Sequence, residues 1–218
     1  MKLVLYYFSI PFWRAEVTRI SLFINNIDFD DYRISDKEYE KFKINGELPN
    51  QIVAPFKQLP VLVVDEKVIA QTGAIARFCG KISGMYPKNN DLNAAKIDQI
   101  IEAAQDINYI ISLSGRNKNK DKKIEARKKL ANIHLPRWLQ YLENLLIENN
   151  ESNWFVGNTM TIADIAIWRL LGWIKSGIID GVPTNILEPY SNLLKMRDEV
   201  YKHPKVKEWM SKKYGKEI

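Results

Sequence analysis

The sequence predicts a small α/β domain followed by a larger all-α domain, and three observations predict it. Short β-rich runs mix with helical spacing over the first third of the chain. Turn-forming residues then cluster at Ile82–Asn93, where Ser83, Gly84, Pro87, Asn89 and Asn90 fall together. Beyond that cluster the apolar residues recur at helical spacing almost to the end. The boundaries expected are 1–81 for the first domain, 82–93 for a linker and 94–218 for the second.

The elements follow in order. Lys2–Phe8 is apolar, rich in Val, Leu and aromatics, and stops at Ser9-Ile10-Pro11, which suits a buried strand. Ala15–Ile24 places Val17, Ile20, Phe23 and Ile24 on one helical face, and Asn25-Asn26 closes it. Phe29–Ile34 reads as a second strand, and the stretch after it as irregular. Leu59–Val64, the turn at Asp65-Glu66 and Val68–Ala70 form a hairpin. Thr72–Cys79 is a helix with Gly80 as its stop. In the second domain helices are expected over Ala94–Leu113, Ile124–Ile147 (kinked or divided by Pro136), Ile162–Lys175, Tyr190–Val200 and Pro204–Lys213.

Composition excludes whole classes of chemistry. A single cysteine, Cys79, rules out an intramolecular disulfide framework, a CxxC redox pair and a multi-cysteine zinc site. With only His134 and His203 besides, no metal centre is expected. The net charge of +6 permits nucleic-acid or anionic-surface binding without establishing either. Its loudest source, Gly115–Lys129, has no interleaved aromatics and reads as a solvated loop and helix start, so no nucleic-acid partner is expected. The opening Met1-Lys2 and the apolar run to Phe8 lack a following small-residue cleavage site, and no stretch is long enough to span a membrane. The expectation is a cytoplasmic protein.

Two local features bear on function. Pro60 opens a predicted strand, and X-Pro is the one bond at which cis is cheap; a cis bond here would leave the backbone of Leu59 free to meet an extended ligand, although an ordinary turn-forming proline fits the same pattern. Gln71-Thr72 begins a helix, where unpaired N–H groups and the dipole favour a carboxylate, although Thr72 also suits a plain N-cap.

Read together and in order, Tyr7-Phe8, Arg14-Ala15-Glu16, Gln58-Leu59-Pro60, Gln71-Thr72 with Ala74-Ile75-Ala76-Arg77, and Thr161-Ile162-Ala163-Asp164 resemble the cytosolic glutathione S-transferases, in their sigma-like branch. The resemblance spans almost the whole chain. It implies a thioredoxin-like first domain, an all-α second domain and a homodimer. It implies transfer of glutathione, as co-substrate, to small hydrophobic electrophiles, with peroxidase or isomerase chemistry as variants. A non-catalytic ligand-binding or structural protein on the same scaffold is the alternative.

The resemblance also assigns roles. Tyr7 is the hydroxyl donor to the glutathione sulfur, with Tyr6 beside it and Ser9 just after it as rivals. Arg14 orients that hydroxyl or the sulfur. Leu59, before Pro60, pairs with the cysteinyl unit; Gln71 and Thr72 hold the γ-glutamyl carboxylate; Lys43 stands near the glycyl end. Tyr39 replaces a tryptophan, Gln58 is the usual residue before the Leu-Pro pair, and Asp106 reaches the γ-glutamyl amine of the partner subunit. Thr161–Asp164 is a capping box that serves folding. Ile10–Trp13 enlarges the first loop, Lys57 replaces a glycine, and Asn45–Pro55 is long, so the electrophile side is where this chain departs most from the pattern.

Overall fold

The computed structural model describes residues 1–215. Its first unit contains strand β1 (Leu3–Tyr7), helix α1 (Trp13–Ile24), strand β2 (Asp30–Arg33), helix α2 (Asp36–Asn45), and the short paired strands β3 (Glu47–Leu48) and β4 (Ile52–Val53) around a 3-10 turn. Strands β5 (Val61–Val64) and β6 (Lys67–Ala70) and helix α3 (Thr72–Ser83) complete it. The main sheet has the order β2-β1-β5-β6; β1 runs parallel to β2 and antiparallel to β5. This is the thioredoxin-like unit, and it puts the C-terminal end of β1, and so Tyr7, in mid-sheet.

Two expectations change here. The stretch after β2 is not irregular: Ser35 caps α2, accepting from the Glu38 N–H at 3.4 Å while Glu38 accepts from the Ser35 N–H at 2.8 Å. Only Phe42 of that helix is buried, so its apolar pattern is too thin to announce it. Nor does Gly80 stop α3, which runs to Ser83 with Gly84 as the left-handed cap. Gly80 serves close approach instead. A Cβ there would lie 2.9 Å from both Ile162 and Tyr86, so the glycine lets the two units press together.

The second unit is helical: α4 (Asp91–Gly115), α5 (Lys120–Lys129), a π turn over Leu130–His134, α6 (Leu135–Glu148), α7 (Ile162–Ile174), α8 (Ser191–Lys202) and α9 (Pro204–Tyr214). The expected helix over 124–147 stays helical but is interrupted by the π turn, which ends two residues before Pro136 in the first turn of α6. Helix α7 is apolar nearly all round and buried almost throughout, the mark of a central helix. The capping box at its start is formed: the Asp164 carboxylate accepts from the N–H of Thr161 at 2.7 Å and of Phe155 at 2.9 Å. Trp13 of α1 is fully buried, and its indole N–H donates to Asn108 of α4 at 3.2 Å, tying the units at the core. No helix of the described residues is long and apolar enough to cross a membrane.

Candidate active site

A cleft of about 410 Å³ opens between the two units, and Tyr7, Arg14, Tyr39, Lys43, Gln58 and Leu59 all line it. Strand alternation puts successive side chains on opposite faces, so Tyr7 and Tyr6 cannot share a site. At the other face, Tyr6 meets Tyr32 in a tilted pair at 5.0 Å and accepts from Asn50. Tyr7 is 4% exposed. Burial pushes its phenol up to about 12, against the opposing pull of Arg14 and Arg19, so it stays a neutral donor at physiological pH. Ser9 does not line the cleft, and its hydroxyl accepts from Arg33 at 3.2 Å.

Around Tyr7 the cleft is cationic and aromatic. Lys43 lies over the Tyr39 ring at 5.4 Å and donates to Glu40 at 2.6 Å, while Tyr39 meets Phe8 edge-on at 4.7 Å. Arg14, Lys43 and Lys57 line it with no carboxylate among the lining residues. No side chain caps the start of α1, whose first turn follows directly on the loop after Tyr7. The Leu59–Pro60 bond is cis, and Leu59 precedes the paired residues of β5.

The other predicted residues lie outside this lining. Gln71 precedes α3 at φ 73 and ψ 123, a backbone that non-glycine residues rarely hold and that is found where a site over-determines it. Next to it, Thr72 is 1% exposed, and its hydroxyl is buried without a hydrogen-bond partner. A cap would accept from a helix N–H; this hydroxyl does not, and the N-cap position belongs to Gln71, so the plain cap is not formed. Asp106 is exposed on α4, away from the cleft of its own chain.

Sequence reasoning did not assign Phe42, Asn108, Ser112 and Trp173 to the cleft, and it named Phe8, Phe12 and Lys57 only as neighbours of the site. Phe12 and Trp173 meet edge-on at 5.0 Å and form the aromatic wall opposite the sheet. Asn108 carried the one available signal, a polar residue on an otherwise apolar face of α4. A larger groove of about 650 Å³ between α4 and α6, lined by Asn93, Lys96, Gln99, Leu145, Glu148 and Phe155, brings no hydroxyl, thiol or imidazole together. The described residues hold no cluster able to bind a metal ion.

Comparison with known proteins gives a consistent pattern. Residues 3–80 match the family model of the glutathione S-transferase N-terminal domain, and 105–213 that of the C-terminal domain. A glutathione S-transferase of Plasmodium yoelii yoelii is 34% identical over 171 residues, covering 75% of this chain and 74% of that protein. S-crystallin SL11 of Nototodarus sloanii is 28% identical over 211 residues, covering 96% and 95%. Among solved structures, a prostaglandin synthase D of Nilaparvata lugens superposes with a TM-score of 0.82 at 24% identity, covering 97% of this chain and 98% of that one; at that identity the likeness speaks to fold alone.

Proposed function

The chain belongs to the glutathione S-transferase family, and from that premise we propose that the cleft beside Tyr7 binds glutathione and presents its thiolate to a small hydrophobic electrophile. The protein is a glutathione transferase, and residues 1–81 form its glutathione side while 94–218 complete the electrophile side. One observation carries the assignment of roles: a buried, neutral Tyr7 hydroxyl lines the cleft beside Arg14, while Ser9 is turned to Arg33.

A free thiol has a pKa of about 8.5, so only a few per cent is ionised at neutral pH. A hydrogen bond from Tyr7 stabilises the thiolate over the thiol, and the Arg14 charge and the α1 dipole act in the same direction. A drop of about two units makes thiolate the major form and corresponds to about 2.7 kcal/mol. Leu59 pairs with the cysteinyl backbone, Lys43 and Gln58 hold the glycyl side against Tyr39, and Gln71 and Thr72 receive the γ-glutamyl carboxylate. In a homodimer, Asp106 reaches the amine of the tripeptide bound to the other subunit; its exposure outside its own cleft supports that role. The lone buried thiol suits a reducing compartment, here the cytoplasm.

A non-catalytic ligand-binding or structural protein is the second reading, favoured by the match to a protein named as a crystallin. Retention on immobilised glutathione followed by conjugation of 1-chloro-2,4-dinitrobenzene separates the two. Binding with turnover is expected. Binding without turnover of that compound or of any peroxide or isomerase substrate would favour the second reading, and failure to bind at millimolar glutathione would sink both assignments of the cleft.

A further inference from the structure

We propose that Arg169 is a positioning residue that sets electrophile selectivity, acting through the Pro11 carbonyl on the ring of Phe12. The inference rests on the reading of the cleft given above. The loop from Phe8 to Phe12 follows Tyr7 directly, and two buried guanidinium groups hold its backbone. Arg19 of α1 donates to the carbonyls of Phe8 at 3.1 Å and Ile10 at 3.4 Å. Arg169 of α7 reaches across from the other unit and donates to the Pro11 carbonyl through Nε at 3.2 Å and a terminal nitrogen at 2.6 Å.

The geometry divides the loop between them. Phe8 is fixed from within the first unit, by Arg19 of α1 at its carbonyl and by Tyr39 of α2 at its ring. Phe12, the other ring the loop gives to the cleft, is fixed from α7. Its own N–H bonds back to Ile10, the carbonyl before it is held by Arg169, and its ring meets Trp173. Arg169 and Trp173 are one helical turn apart, so the same face of α7 grips the backbone and the ring of one short segment.

The helix makes room for this grip. A Cβ at Gly172 would lie 3.3 Å from the Arg169 guanidinium, a distance that crowds it. Arg169 is 2% exposed and does not line the cleft, so it touches neither substrate. A buried guanidinium is retained only where its hydrogen bonds are made, and here two of them end on the loop that carries the electrophile wall.

The test is the ratio of kcat/KM for a bulky aromatic electrophile, 1-chloro-2,4-dinitrobenzene, to that for a small aliphatic one, iodoacetamide. Arg169→Met is expected to lower that ratio about tenfold, with most of the change in the aromatic KM. The KM for glutathione and the pH midpoint of the rate should stay at their wild-type values. In a double-mutant cycle, adding Arg169→Met to Phe12→Leu should change the ratio little, because both act on one wall. An unchanged ratio in Arg169→Met, additive effects in the cycle, or an equal rise in the KM for glutathione would each overturn the proposal. Should Arg169→Met fail to fold, Arg169→Lys keeps the charge but offers a single donor nitrogen in place of the fork, and decides: a partial fall in the ratio is expected, and no fall overturns it. A wild-type chain that ignores glutathione would sink the underlying reading; one that binds it and keeps its ratio in these variants would sink this inference alone.

Discussion

The role proposed for Tyr7 needs a phenol, and the fold keeps it one. Its burial, partly offset by Arg14 and Arg19, leaves the hydroxyl protonated across the physiological range and therefore always a donor. Tyr7→Phe is expected to cut kcat/KM by about tenfold to a hundredfold while the affinity for glutathione changes little, as steady-state kinetics and glutathione binding would record. Ser9→Ala should leave both in place; a large loss there instead would transfer the role to Ser9. Thr72 gives a second test. Its hydroxyl has no partner to lose, so Thr72→Val should leave the melting temperature unchanged or slightly raised, yet raise the KM for glutathione about tenfold. A plain cap would show the reverse. Cys79, its thiol pushed up to about 12 by burial, should resist alkylation in the native enzyme, and its blockage after unfolding should be complete.

At this scale the sequence was legible where chemistry and register coincide. The alternation of β1 separates Tyr7 from Tyr6 once the strand is placed, and the cis Leu59–Pro60 bond is one that a proline ahead of β5 permits without announcing it. Ser112 and Trp173 were illegible because nothing local marks them. They line the cleft only because α4 and α7 deliver them there from distant parts of the chain.

Helix α7 shows how an element is set by its first turn. Thr161 accepts from the Ala163 N–H at 3.2 Å, and Asp164 bonds back to Thr161 and across to Phe155, satisfying donors that a buried helix end would otherwise leave orphaned. Replacing Asp164 with Asn should cost about 1–3 kcal/mol at neutral pH. The pH dependence carries its own sign. Burial raises the Asp164 carboxyl from 3.8 to about 6, over the opposing effect of its hydrogen bonds. The folded state therefore holds that proton more tightly than the unfolded state does, and this group's contribution to stability falls as pH rises from 3.8 to about 6. Asp164→Asn should remove that fall, which denaturant titrations across the interval would detect. The box was readable as Thr-x-x-Asp ahead of an apolar run; the matching box at Ser35–Glu38 went unread because α2 buries too little to show a periodic face.

For the molecule as a whole, the cleft exists only where the units meet. Trp13 bonded to Asn108, Gly80 against Ile162 and Arg169 on the Pro11 carbonyl all cross that seam. The order of elements was legible from periodicity and turn residues, but the seam joins residues too far apart in sequence for spacing to register. The positive charge remains peripheral: α5 buries no residue, and Lys123 and Arg127 are paired with Asp180. Neutralising Lys118, Lys120 and Lys122 should therefore leave conjugation intact, with no salt-sensitive binding to duplex DNA before or after the change.

On the proposed assignment, Tyr7 makes thiolate the resting form of bound glutathione. Titration of the ultraviolet absorbance of the thiolate in the complex against pH decides it. The wild-type protein should show a midpoint near about 6.5, and Tyr7→Phe a midpoint near the free value of about 8.5. Coincident midpoints in the two proteins would contradict the claim.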